Sequence, residues 1–168
     1  ADLWTLDLQT RHAKALTSGP GGDFRPAWSP DGRWIVFSSD RSSSMPPGHG
    51  RWEHLQLADL YIVHPDGSGL KQIGERGGFC GSPKWTPDSR RLIFTSERAG
   101  VRNLFWQAAD GTGAVERLTE SPDTQYPTGV SPDGRRLIFT DESPTTANDV
   151  MAIELDATRR VTPLVQSP

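Results

Sequence analysis

SPDGRRLIF at residues 131–139 repeats, almost letter for letter, SPDGRWIVF at 29–37 and TPDSRRLIF at 86–94. In each copy Ser or Thr suits the first turn position, Pro presets φ at the second, Asp tolerates the third, and Gly or Ser relaxes the exit. An apolar run follows: Trp34–Phe37, Leu92–Phe94 or Leu137–Phe139. A shorter run containing Trp28, Trp85 or Val130 precedes it. Short apolar runs bounded by turn residues read as strands, so each block is a β-hairpin.

A second hairpin alternates with the first. Its opening strand starts at Leu3, Leu60, Leu104 or Val150, a turn follows (often Asp-Gly), and its second strand ends near Leu16, Ile73, Leu118 or Leu164. Leu16 to Ser29, Ile73 to Thr86 and Leu118 to Ser131 are each 13 residues apart. Four strands in about 40–45 residues make one propeller blade. The expected fold is therefore all-β, with about three and a half four-stranded antiparallel blades. The boundaries are a half blade at 1–17, a blade at 18–74 with an insertion at 42–58, a blade at 75–119 and a blade at 120–168.

RPAWSPDGRWIVFSSDR followed by DLYIVHPDGSGLKQI resembles the TolB-type propeller repeat, a relative of the WD repeat. The resemblance covers nearly the whole chain. Its third unit departs from the pattern: Val130 stands in the Trp place, and Pro127 lies four residues before its Ser rather than three, which points to a bulge or shifted strand. The family implies a β-propeller, usually of six or seven blades, and an extracytoplasmic, periplasmic location in bacteria; a cytoplasmic one also fits. It implies no single activity, because the scaffold serves partner docking, ligand binding and the gating of attached hydrolases.

Three and a half blades do not close such a ring. The ends of an open arc would expose the apolar surface that Trp28, Phe37, Trp85, Phe94 and Phe139 help to build. The expectation is a piece of a longer propeller, or self-association that completes one, and an isolated chain that is not a stable monomer.

Bulk properties narrow the function classes. The chain has 168 residues, a net charge of -3 and 34% hydrophobic residues, as in an ordinary globular domain. The mild acidity argues against a nucleic-acid partner. No apolar run is long enough for membrane insertion, and no signal peptide is visible at the start. Cys80 is single, so no internal disulfide forms, and no nearby His offers it a base.

The insertion SSSMPPGHGRWEHLQLA is the most unusual segment. Loops joining the second strand to the third share one rim of a propeller with the loops between blades, and that rim is where binding is expected. Binding candidates are His49, Arg51, Trp52 and His54, with Phe79 from the neighbouring inter-blade loop; Trp and Arg are enriched in interface hot spots. His49, Glu53 and His54 offer two nitrogens and a carboxylate as weak metal candidates, at a spacing that is not one helix face. No cofactor is expected. Asp40-Arg41, Glu97-Arg98 and Asp141-Glu142 fall at matching positions just after the second strands, and such repeated charged pairs either line a ligand funnel, or pair with neighbouring blades or cap turns. The reading that follows is a non-catalytic protein- or ligand-binding scaffold. The alternatives are a substrate-gating propeller of a larger hydrolase, or a metal-assisted lyase using the His-containing insertion.

Overall fold

The computed structural model describes residues 1–42, 58–74, 79–145 and 147–166. All regular elements among them are strands. A two-stranded sheet, β1 (Trp4–Leu6) and β2 (Ala13–Ala15), precedes three four-stranded antiparallel sheets. These are β3 (Asp23–Trp28), β4 (Ile35–Ser39), β5 (Asp59–Val63) and β6 (Lys71–Ile73); then β7 (Cys80–Trp85), β8 (Arg91–Ser96), β9 (Asn103–Ala108) and β10 (Glu116–Arg117); then β11 (Thr124–Val130), β12 (Arg136–Ser143), β13 (Ala147–Glu154) and β14 (Val161–Val165). Each four-stranded sheet runs in chain order. The architecture is the half blade and three blades read from the repeat.

The repeated turns close as their chemistry demands. Ser29, Thr86 and Ser131 carbonyls accept the N–H of Gly32, Ser89 and Gly134. The Asp31, Asp88 and Asp133 carboxylates accept from the hydroxyls of those same three residues, each at 2.6 Å. That hydrogen bond, foremost, holds all three Asp below the ordinary carboxylate range. Ser89 stands in the Gly place at φ 60, in the left-handed region, as Gly32 (φ 70) and Gly134 (φ 72) do.

β3 lies against β7 and β7 against β11, so the first strands form the inside of the arc. The outer strands β2, β10 and β14 are exposed throughout. Middle strands carry the core: Phe37, Phe94 and Phe139 occupy the same place in successive blades and are fully buried. Apolar clusters fill each gap: Leu3, Leu16, Phe37 and Tyr61 join the half blade to the first blade. Val36, Leu60, Trp85 and Phe94 join the first to the second. Ile93, Leu104, Leu137 and Phe139 join the second to the third.

Outer straps repeat as well. Lys14 Nζ donates to the Asp66 carbonyl of the next blade's outer turn at 3.2 Å, and Lys71 Nζ to that of Asp110 at 2.7 Å. At the third interface Glu116 takes the Lys place and meets Arg159 at 3.8 Å.

The expected irregularity in the third unit is present, with a register shift between Pro127 and Gly129. The other two inner hairpins are also bulged, between Phe24 and Ala27 and between Gly81 and Lys84, where Arg25 (φ 53) and Ser82 (φ 55) take left-handed backbone. Trp28 is 55% exposed. In the last blade Val150 pairs with Val165 and Met151 with Pro163, a register shift that leaves Leu164 unpaired between them.

Candidate functional site

The rim that carries the insertion is built by the starts of β3, β7 and β11 and the ends of β4, β8 and β12. In the first blade Arg41 Nη2 donates to both Asp23 carboxylate oxygens (2.7 and 2.6 Å), while Arg41 Nε donates to Ser39 Oγ at 3.0 Å. The same guanidinium stacks over Phe37 and Tyr61 at 5.4 and 5.1 Å. In the second blade Cys80 stands in the Asp place: Arg98 Nε donates to Ser96 Oγ at 3.1 Å, and Arg98 Nη2 lies 3.7 Å from Cys80 Sγ. Burial pushes the Cys80 thiol up, so it stays protonated and is a poor nucleophile.

Asp40 and Arg41 do not pair with each other, nor do Glu97 and Arg98. Asp40 Oδ1 accepts the Gly22 N–H at 2.6 Å, and Glu97 Oε1 accepts the Phe79 N–H at 3.2 Å. Both acids cap the incoming inter-blade connection, and each guanidinium lies over two rings of its own blade, Arg98 over Phe94 and Phe105 at 5.9 and 5.4 Å. The third blade's pair falls one residue off. Asp141 occupies the Ser39 and Ser96 place, Glu142 the acid place and Ser143 the Arg place, as the pairings Asp23↔Ser39, Cys80↔Ser96 and Gln125↔Asp141 establish. Asp141 therefore lacks a guanidinium. Its Oδ1 is buried without a hydrogen-bond partner among the described residues, and burial, with Asp123 and Asp149 nearby, pushes its carboxyl up.

Phe79 is 4% exposed and lies under Arg102, whose guanidinium is 4.2 Å from the ring centroid. Arg102 Nε donates to Glu97 Oε2 at 3.5 Å, and its Nη1 reaches the Tyr126 hydroxyl at 3.4 Å. Arg25 donates to Ser82 Oγ across the first two inner strands. Phe24, Phe79 and Tyr126 thus put an aromatic ring at the start of every inner strand. Phe24 and Phe79 arrive from opposite sides of one place: a Cβ on Gly22 would sit 2.2 Å from the Phe24 ring, and one on Gly81 would sit 2.5 Å from the Phe79 ring. Each ring needs the other position to be Gly.

The insertion stands on this rim. Ser42 Oγ donates to Asp59 Oδ2 on one side. On the other, Ala58 is fully buried and its carbonyl accepts the Cys80 N–H at 2.8 Å, one residue from Phe79. His49, Arg51, Trp52, Glu53 and His54 lie outside the described residues. No group of three His, Cys, Asp or Glu among the described residues is placed to hold a metal ion.

The opposite rim carries a groove of about 480 Å³ between the first two blades, lined by Arg33, Trp34, Lys71, Arg90, Arg91 and Asp110 among others. His64 is satisfied there: its ring stacks on Trp34 at 3.6 Å and its Nδ1 meets the Arg33 carbonyl at 3.0 Å. Sequence reasoning missed Arg102 and Tyr126, because neither sits in the repeated turn block or the insertion. Their signal was weak but readable: each lies one or two residues from the start of a strand that opens on this rim.

The TolB beta propeller domain family matches residues 53–166. The Tol-Pal system protein TolB of Anaeromyxobacter dehalogenans (strain 2CP-C) is 34% identical over 122 residues, which is 72% of this chain and 24% of that protein. The uncharacterized peptidase YuxL of Bacillus subtilis is 29% identical over 95 residues, which is 56% of this chain and 13% of that protein. The crystal structure of TolB from Acinetobacter baumannii superposes with a TM-score of 0.77 at 24% identity, covering 98% of this chain and 38% of that one. That likeness is one of fold. The chain thus spans less than a third of the curated relatives it matches. With the repeated blades in place and two thirds of the residues matched, the chain belongs to the TolB beta propeller domain family.

Proposed function

We propose that the chain is a binding scaffold for a protein partner, acting through the rim that carries the insertion, with no chemistry of its own. The observation that carries this reading is Arg102 held over Phe79 and against Glu97 and Tyr126, on the rim where both feet of the insertion stand. Fixed aromatic and guanidinium groups bind with little loss of side-chain freedom, and these residue types dominate interface hot spots. Arg51, Trp52, His49 and His54 belong to the same rim on this reading. The relatives of the Tol-Pal system support a protein partner and an extracytoplasmic location.

A photo-crosslinking residue at position 126, compared with one at position 90 on the far rim, tests the reading in the source cell. The expected result is one partner captured from 126 and not from 90. Trp52→Ala and Arg102→Ala should each weaken that capture about tenfold, roughly 1.4 kcal/mol, while the domain stays folded. Equal capture from both positions, or capture indifferent to both substitutions, would sink it. The match to the peptidase YuxL favours one second reading, a propeller that gates a hydrolase elsewhere in a longer polypeptide. A reading frame with no hydrolase domain removes that alternative.

A further inference from the structure

On the rim opposite the insertion, the gaps between blades repeat closely enough to be compared position by position. Between the second and third blades the chain fills the gap itself. Trp106 lies there, paired across the sheet with Glu116, and the Arg159 guanidinium reaches in from the third blade's outer turn. It lies 4.1 Å from the Trp106 ring centroid and 3.8 Å from Glu116 Oε2, with the Arg91 guanidinium over the same ring at 3.9 Å.

Between the first and second blades each of these parts is different. Ile62 stands in the Trp106 place and Lys71 in the Glu116 place, as the pairings Ile62↔Lys71 and Trp106↔Glu116 establish. Trp34 stands in the Arg91 place, since the two carbonyls accept the N–H of Ser29 and of Thr86. Gly113 stands in the Arg159 place. Both take left-handed backbone, at φ 74 and 48, and both follow an aspartate that accepts from a threonine, Asp110 from Thr112 and Asp156 from Thr158. A Cβ on Gly113 would meet nothing within 4 Å. The groove of about 480 Å³ therefore lies over Ile62 and Lys71, where in the next gap a guanidinium lies over Trp106 and Glu116.

The charge is inverted as well. Arg33, Lys71, Arg90 and Arg91 line the groove against two carboxylates, in a chain whose net charge is -3. Both carboxylates are spent within their own turns, Asp31 on the Ser29 hydroxyl and the Arg33 N–H, Asp110 on Thr112. Among the described residues neither the Arg33 nor the Arg90 guanidinium forms an ion pair. The Trp34 ring is fixed by its stack on His64. Hydrogen bonds strap the groove at both ends. The Asp31 N–H donates to Ser89 Oγ at 3.1 Å on the inner side, and Lys71 Nζ to the Asp110 carbonyl at 2.7 Å on the outer side.

We propose that this groove binds a small organic anion. The Arg33 and Arg90 guanidiniums hold its carboxylate or phosphate head, an oxyanion geometry that their forked donors match. An apolar body lies against Trp34 and the floor of Ile62 and Ala109. The volume is that of a small-molecule site, commonly about 300–1,000 Å³. A peptide running through the groove would have to pass a strap at either end, which favours a small molecule as the occupant. Such a ligand neither requires nor excludes a protein partner on the other rim.

The test titrates the chain with 3-phenylpropionate and phenyl phosphate, and with 3-phenylpropan-1-ol as the uncharged control. Binding is followed by NMR at the Trp34 indole N–H resonance, which Trp34→Phe assigns. At least one anion should shift that resonance saturably, bind about tenfold or more tighter than the alcohol, and loosen as salt rises. The tighter of the two anions identifies the head group. Arg33→Ala and Arg90→Ala, both at exposed positions, should each weaken that anion about tenfold and leave the alcohol unchanged. The proposal is overturned if the alcohol binds as tightly as the anions, or if the Trp34 resonance stays still under both anions. Anion affinity indifferent to both arginine substitutions overturns it equally.

Discussion

Arg41 and Arg98 do the same job with different partners, and the difference has consequences. The Arg41–Asp23 pair is close, at 2.6 Å, with the Asp23 side chain almost fully buried. Removing one member leaves an unpaired buried charge, so Asp23→Ala should cost about 3–5 kcal/mol in chemical denaturation. Arg98 has a hydroxyl and a protonated thiol as its polar partners, with the Phe94 and Phe105 rings beneath it as Phe37 and Tyr61 lie beneath Arg41. No charge is left unpaired by its removal, so Arg98→Ala should cost about 1 kcal/mol. Equal losses would refute the assignment. Asp141 makes the opposite prediction. Its pKa is raised on folding, so its contribution is fully favourable below the unfolded value of 3.8 and is lost as pH rises through the higher folded one. Asp141→Asn should therefore raise the melting temperature at pH 7, with the gain disappearing near pH 3. The turn aspartates have lowered values and run the other way, stabilising at neutral pH and failing in acid. The acids after the second strands were legible as a repeat. Their partners were not, because Asp40 and Glu97 reach back to Gly22 and Phe79, each 18 residues earlier, a distance no local pattern encodes.

Strands and turns were legible almost throughout, because turn chemistry and apolar runs recur at one spacing. What escaped was local deviation from that spacing. A bulge in every inner hairpin places Pro26 and Pro83 where no ladder N–H is needed, and in the third hairpin Pro127 pairs directly with Phe139 while the extra residue shifts to position 128. The sequence shows the displaced proline but not that the neighbours are bulged too. Trp28 and Trp85 carry identical local patterns and meet opposite fates, since burial of either depends on the preceding blade. Trp85→Phe keeps the ring contact and loses the bond from Nε1 to the Ala27 carbonyl. It should cost about 1–2 kcal/mol in thermal or urea unfolding, the cost of leaving that carbonyl without its donor. Trp28→Phe in the same chain should be nearly neutral.

The described residues form an arc: interior strands packed against one another, outer strands β2, β10 and β14 exposed, and side chains that bridge from each blade to the next. The two rims differ in kind. One is built from identical turns whose carboxylates are consumed within them. The other varies from blade to blade and holds the aromatic rings, Arg102 and the feet of the insertion. Variation on a fixed frame is how propellers of one architecture come to bind different partners. The insertion itself was legible only as an interruption of the repeat, since no neighbouring copy exists to say how His49 to His54 are held. The radial stacking is tested most directly by two single-tryptophan variants, one retaining Trp28 and one retaining Trp85, with iodide as quencher. Stacked blades preceded by an incomplete one predict that Trp28 is quenched several times more steeply than Trp85 in the monomer. Equal shielding of the two indoles would contradict it.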